Sequence, residues 1–260
     1  MRRNLPIRPA PRWGITLGFL VIVLGLWELS SRSASRPEYF LGPLAIAHAV
    51  MNSLSTGHIW LPAVHSLYRV YIGFAIGGCA GVVLGLLSGV SHTVRDLCDV
   101  PQAFVHAIPK ISLFPAVAVW LGFSDASRIL IIALSCFFPA YLNATSGALG
   151  INPRYLWLSR NNEVGRLATF MQVVVPASLP RTMVGLRISL MVAFILMVAT
   201  EVIGSSDGLG TLVMAAYQDG DYHQMYAAIC LIALAGYASN QIMQKIADRL
   251  CRGHTMAMGG

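Results

Sequence analysis

The longest break in hydrophobicity in this chain reads NPRYLWLSRNNEVGRLATFMQVVVPASLPRTMVGLRISL, residues 152–190. It holds five of the 18 lysines and arginines, and Pro176 and Pro180 mark the return to apolar sequence. A chain that crosses a membrane and keeps such a polar insert on one face has a surface there for a partner. We therefore interpret this stretch as the place where a partner protein binds an otherwise membrane-embedded subunit.

Composition places the rest of the chain in a membrane. Of the 260 residues 56% are hydrophobic and 11% are charged, and the mean hydropathy is +0.65, whereas a soluble domain carries about 25% charged residues. Several apolar runs approach the roughly 20 residues that a helix needs to cross a bilayer. We predict an all-α, polytopic membrane protein with one domain over 13–250 between short tails, 1–12 and 251–260.

The net charge of +7 comes from 16 arginines and two lysines. Arginines scattered at helix ends fit the topology of a membrane protein, whereas nucleic-acid binding requires a basic face. The five cysteines form no CxxC pair and are interpreted as small buried hydrophobic residues, not as metal ligands or disulfides. The first apolar run, Ile15–Leu29, is interpreted as an anchored span, with a cleaved signal peptide as the alternative.

Six membrane spans are predicted, at 13–30, 62–90, 98–121, 127–149, 180–204 and 222–247. The shorter segment Pro43–Gly57 is expected at the interface or on the outer face. With the N-terminus inside, thirteen of the 18 basic residues fall on the inner side, and the loop 205–221 has three aspartates and no basic residue. The positive-inside rule therefore predicts that both termini and the insert at about 150–179 are cytoplasmic.

The second predicted span carries a glycine at every fourth position. Residues four apart lie on nearly one face of an α-helix, so these glycines form a ridge that lets another backbone approach closely. The pattern predicts tight helix packing, against either this chain or a second copy. The ridge consists of Gly73, Gly77, Gly81, Gly85 and Gly89.

The third predicted span contains Pro101, Pro109 and Pro115, with Lys110 between the last two. A broken helix that lines a pathway would explain them, since freed backbone groups survive in membranes only beside protein or water. Alternatively, the span begins later and Lys110 reaches the cytoplasmic interface. Glu201, near the outer end of the fifth span, could line a solute path, stabilise a packed contact or lie at the interface.

Catalysis by this chain is not expected. The two lysines follow Pro109 and Gln244, so the Gly-Lys pair of a phosphate-binding P-loop is missing, and no HExxH metal-binding motif occurs. A serine nucleophile would also need an elbow and an orienting acid that the sequence lacks. No cofactor or metal is expected on the chain.

Segments along nearly the whole chain resemble the membrane permease subunits of ABC importers for sulfonates, taurine, nitrate and related small oxyanions. They are LGLWELSS (24–31), LYRVYIGFAIGGCAGVVLGLLSG (67–89), PKISLFPAVAVWLGFSDASRI (109–129), VVVPASLPRTMVGLRISL (173–190) and ATEVIGSSDGLGTLV (199–213). The resemblance implies a type I importer permease with six transmembrane helices and a cytoplasmic coupling helix between spans 4 and 5. It also implies a bacterial inner-membrane location.

The resemblance further implies the partners. Two permeases, here expected as a homodimer, form the pathway; two cytoplasmic ATPases bind ATP and Mg below it, and an extracytoplasmic binding protein delivers the solute. The coupling helix fits a groove on the ATPase and transmits its closure to the spans. By this resemblance the coupling residues are Trp157, Leu158, Ser159, Arg160, Glu163, Gly165, Arg166 and Phe170, followed by the motif residues Pro176, Pro180, Gly185, Leu186 and Arg187.

The first half of the family's coupling motif is degenerate here. Trp157 stands where the family has glutamate, Leu158 and Ser159 where it has alanines, and Glu163 where it has glycine. A glycine there permits a turn with positive φ, which glutamate adopts poorly. The coupling helix is therefore longer or differently angled, or the ATPase is unusual, or a second, different permease carries the better motif.

The transported solute is less defined. Sulfonate, taurine, nitrate, bicarbonate and a thiamine-precursor-like solute all fit, and the resemblance favours a small organic anion. The rival functions are an autonomous secondary transporter or channel and a polytopic membrane enzyme. A secondary transporter would usually show internal repeats or paired broken helices, and the single large insert is asymmetric.

Overall fold

The computed structural model describes residues 13–33 and 37–251, and within these ranges every regular element is helical. The predicted N-terminal tail and all but the first residue of the predicted C-terminal tail lie outside the described residues. The helices are α1 Trp13–Ser31, α2 Pro43–Thr56, α3 Trp60–Val90, α4 His92–Ala107, α5 Phe114–Leu121, α6 Asp125–Leu149, α7 Pro153–Asn161, α8 Arg166–Thr169, α9 Val175–Gly204, α10 Leu209–Gln218 and α11 Tyr222–Cys251. A 3₁₀ segment, Lys110–Leu113, precedes α5, and a π-helical turn, Phe170–Val174, joins α8 to α9.

Five described helices are long and apolar enough to cross a membrane: Gly14–Ser31, Trp60–Val90, Asp125–Leu149, Arg166–Gly204 and Tyr222–Cys251. The first, second, fourth and sixth predicted spans match four of them to within a few residues. The fifth prediction, 180–204, started too late, because the helix runs unbroken from Arg166. Pro176 has no N–H to donate, and the π-helical turn directly before it absorbs the change in hydrogen bonding.

The third predicted span, 98–121, is a broken helix. α4 ends at Ala107, and Ile108 is extended, with φ −78° and ψ 130°. Ile108 precedes Pro109, and the residue before a proline is driven out of the helical region by steric contact with the ring. The apolar piece after the break, Lys110–Leu121, is too short to cross a bilayer by itself. The break itself, one of the two alternatives for this span, is confirmed.

The helix α6 lies at the centre of the bundle, between α3 and α9. Its Ile132 and Cys136 are fully buried against Leu190, Ala193 and Met197 of α9. α11 packs on α9 and on α2, whereas α1 contacts α2 and leaves almost all of its apolar surface exposed. In a membrane such surface faces lipid, so α1 lies at the edge of the bundle.

Candidate functional site

The polar insert folds as a short helix, a tight turn and the start of the long helix. Asn152 Oδ1 accepts a hydrogen bond from Arg154 N at 3.0 Å, and Pro153 occupies the first position of α7, an ordinary start for a helix. The turn after α7 closes with Val164 N donating to Ser159 O at 3.0 Å. This is the 6→1 hydrogen bond of a Schellman motif, in which the residue before the donor takes the left-handed conformation.

That left-handed residue is Glu163, with φ +54°, and among the described residues it is the single non-glycine residue with positive φ. Its position agrees with the alignment that placed the motif glycine there. A side chain in this conformation brings Cβ close to the following carbonyl oxygen and costs roughly 1–2 kcal/mol. The turn therefore has the positive φ that the resemblance implies for a motif glycine, although glutamate stands there.

Replacing Glu163 with glycine is expected to stabilise the insert, because glycine adopts positive φ without that contact. The free energy of unfolding should rise by about 1 kcal/mol. Thermal denaturation of the purified protein in detergent measures this, with Glu163→Ala as the control that removes the carboxylate but keeps the Cβ. Equal stabilisation by alanine and glycine would show that the charge, not the backbone, carries the cost.

The surface of the insert is apolar as well as basic. Trp157 and Leu158 are 64% and 60% exposed, and Leu167 at the start of the long helix is 72% exposed. Leu156 and Phe170 point the other way and pack on a core cluster with Ala148 and Val174, as two anchors of the insert. Ser159 is buried, and the side chain of Arg160 lies outside the described residues.

The remaining motif residues lie on or beside the long helix. Gly165 directly precedes the exposed Arg166, the first residue of α8. Pro176 and Pro180 lie in the first turns of α9. A Cβ on Gly185 would lie 2.7 Å from Pro139 O, so this glycine is where α9 and α6 approach closely. Arg187 Nε donates to Asn240 Oδ1 at 2.9 Å and links α9 to α11.

A buried ionic cluster joins three helices at the end of the bundle opposite the insert. Arg69 of α3 is 1% exposed and donates to Glu201 Oε1 at 2.7 Å and to Asp125 Oδ1 at 2.6 Å. It also binds the carboxylate of Asp207 and donates to the carbonyl oxygen of Asp207 at 3.0 Å. One planar guanidinium thus holds acceptors from α6, α9 and the loop after α9.

Glu201 is enclosed in this cluster. Ser66 Oγ lies 2.8 Å from each of its carboxylate oxygens, and Gly210 N donates to it at 2.9 Å. Ser66 Oγ also accepts from Leu209 N at 2.8 Å, so the start of α10 is fixed to α3. The Glu201 side chain has no exposed surface; the structure places it inside a packed contact, one of its three predicted roles.

Asp207 lies in the loop between α9 and α10. Burial raises the pKa of its carboxyl group, but hydrogen bonds from Arg69 and His65 outweigh burial and lower the pKa to about 2. The carboxylate therefore stays charged at neutral pH and holds the loop on α3. Sequence reasoning missed this cluster, although an acid within an apolar span already indicates a cationic partner.

The glycine ridge of α3 faces α6 of the same chain. Gly73, Gly77, Gly81 and Gly85 are buried and Gly89 is half-buried. A Cβ on Gly81 would lie 2.5 Å from Phe137 O, and one on Gly85 would lie 2.5 Å from Tyr141 O. The sequence left open whether this ridge packs against the same chain or a second copy. In the structure it packs against a helix of the same chain.

A cavity of about 320 Å³ opens beside the break between α4 and α5. Lys110, at the start of the 3₁₀ segment, lines it together with Phe138 of α6 and Leu196 of α9. The Lys110 ammonium lies 4.8 Å from the centre of the Phe138 ring. The structure thus separates the two predicted pathway residues, since Lys110 lines this cavity and Glu201 is enclosed in the ionic cluster.

The family model for "Binding-protein-dependent transport system inner membrane component" matches residues 81–252, about two thirds of the chain. The chain belongs to this family. The aliphatic sulfonates transport permease protein SsuC of Bacillus subtilis (strain 168) is 27% identical over 93% of this chain and 88% of its own length. The nitrate import permease protein NrtB of Leptolyngbya laminosa is 26% identical over 96% and 88%.

Among solved structures, a chain of the MetNI methionine ABC transporter in inward-facing conformations superimposes with a TM-score of 0.52. It covers 81% of this chain and 96% of its own length at 19% identity, which shows the fold. The family resemblance, the all-α importer-permease fold and the transport function predicted from the sequence are confirmed. The count of six spans, the roles of the site residues and the ATP and Mg on a partner ATPase stay predictions.

Proposed function

We propose that this inner membrane component works as a homodimer that imports a small organic anion, driven by two ATPases that dock on the α7–α8 insert. The family membership establishes a permease of a binding-protein-dependent system. A non-catalytic subunit of such a system requires an ATPase partner and an extracytoplasmic binding protein. The observation that best supports this proposal is the exposed apolar and basic insert at the start of the longest helix in the described part of the chain.

The long helix supports coupling between its two ends. Arg166–Gly204 spans 39 residues, so it reaches roughly 58 Å at 1.5 Å per residue. One end begins at the insert turn, and the other carries Glu201 in the ionic cluster. A force on the insert therefore moves the α9–α10 loop as part of one rigid body.

The anchoring of α7 supports docking there. Leu156 fixes the helix to the core while Trp157 and Leu158 face outward. Exposed aromatic side chains next to arginine are typical of the central residues of protein interfaces. We place the insert and both termini in the cytoplasm, as the distribution of arginines predicts.

The proposal of a small organic anion rests on the relatives. SsuC is named for aliphatic sulfonates and NrtB for nitrate, and both names describe small anions. A pull-down of the tagged chain from native membranes, with mass spectrometry of its partners, tests the assembly. We expect an ATPase, a binding protein and a second copy of the chain. Uptake that continued in membranes without any ATPase partner would instead indicate a secondary transporter.

Charge reversal of Arg166 tests the docking site. Arg166→Glu is expected to lower ATPase binding about tenfold, since a reversed charge within an interface opposes the partner's surface, and to reduce the solute imported per ATP hydrolysed. Both are measured after co-purification and reconstitution. Arg249→Glu, an exposed change in the last turn of α11, is the matched control. ATPase binding that survives deletion of 156–170 undiminished would place the docking site elsewhere.

A further inference from the structure

The cavity beside the helix break is built from three elements of the bundle. The 3₁₀ segment contributes Lys110, α6 contributes Ser135 and Phe138, and α9 contributes Ile195 and Ala199. Its volume of about 320 Å³ is at the lower end of ligand pockets, which hold roughly 300–1,000 Å³. The size is suited to a small solute.

The depth of the cavity places it inside the membrane. Lys110 begins the apolar piece Lys110–Leu121, so about 11 residues, or roughly 17 Å of helix, separate it from the end of α5. The hydrocarbon core of a bilayer is about 30 Å thick. With the end of α5 placed at one surface of the hydrocarbon core, Lys110 lies near the middle of the membrane, at a broken helix, where transporters commonly bind solutes.

The wall of the cavity has one cationic side chain and a mainly apolar remainder. Among the described residues that line it, Lys110 carries the positive charge and none is acidic, and the hydroxyl group of Ser135 already donates to Ile131 O at 2.9 Å. A lysine in this position is energetically costly in a membrane, which favours a functional role. The Phe138 ring lies against the ammonium and restricts its position.

We propose that this cavity binds the transported solute on its way through the membrane, and that the solute is an organic anion with a short alkyl tail. Lys110 Nζ binds the anionic head, and the apolar wall around Ile195 and Leu196 takes the tail. The inference rests on the proposed import function and adds a residue that determines specificity within the permease itself, in addition to the binding protein.

The test uses butanesulfonate binding to the full chain in lipid nanodiscs, measured by isothermal titration calorimetry. The wild type is expected to bind it saturably, and to bind methanesulfonate and butyltrimethylammonium more weakly, because the first lacks the tail and the second the negative charge. Lys110→Met should raise the Kd at least roughly tenfold, as expected on loss of one charge-assisted hydrogen bond. Lys110→Arg should stay within about threefold.

Lys245→Met is the matched control, since Lys245 is the other lysine of the chain and lies exposed on α11. Its Kd is expected to equal that of the wild type. An unchanged Kd in Lys110→Met, or absence of saturable binding to the wild type, would overturn the site. A separate uptake experiment tests the proposed import function itself. If that function is wrong, the wild-type complex with ATPases and binding protein takes up no anion when ATP is added.

Discussion

Replacing Arg69 with methionine is expected to lower the free energy of unfolding by about 3–5 kcal/mol, the cost of leaving a buried charge without its partner. Arg69 and Glu201 are both almost completely buried, and their groups approach to 2.7 Å. Methionine keeps much of the side-chain volume but none of the donors, so Glu201 loses its cation. The released loop at Asp207 also loses its attachment to α3.

Thermal denaturation in detergent measures this loss, and two further variants separate its causes. Arg32→Met removes an exposed ion pair with Glu28 and should cost less than about 1 kcal/mol. Adding Glu201→Gln to Arg69→Met should recover part of the stability, because the unpaired charge is gone. If Arg69→Met costs no more than Arg32→Met, the cluster does not stabilise the fold.

The sequence allowed prediction of what depends on local pattern. Long apolar runs located five of the spanning helices, since hydrophobic length is a property of the segment alone. The period of four in the glycines indicated a close helix contact for the same reason. At Glu163 the resemblance located the position of a motif glycine, but the residue type argued against the positive φ that the structure has there.

What the sequence did not show depends on residues far apart in the chain. Arg69, Asp125, Glu201 and Asp207 come from four separate segments, and no spacing rule connects them. In the predicted span 98–121 the prolines indicated a break, but hydropathy did not place it at Ile108, where the steric effect of Pro109 ends α4. The cavity at Lys110 likewise requires the packing of α6 and α9 around that break.

Replacing Gly81 with leucine is expected to destabilise the protein by about 3 kcal/mol or more, at the upper end of overpacking effects. The new Cβ would lie 2.5 Å from Phe137 O and 3.0 Å from Tyr141 N. Both are backbone atoms of α6, which cannot rotate away as a side chain can, so α3 and α6 must separate. Because the ridge contacts α6 of the same chain, the defect is expected in the fold of the single chain.

Labelling of Cys136 with a thiol reagent reports this separation. Cys136 of α6 is fully buried in one cluster with Val70 of α3 and Leu190 of α9, and a background with serine at the other four cysteines makes it the single target. Gly81→Leu should label faster and denature at lower temperature than the wild type. Gly25→Leu in α1, where a Cβ would meet nothing within 4 Å, is the matched control and should behave as the wild type. Because the same leucine is added to a membrane helix in both variants, a defect shared by the two would reflect hydrophobicity, and one confined to Gly81 reflects the contact with α6.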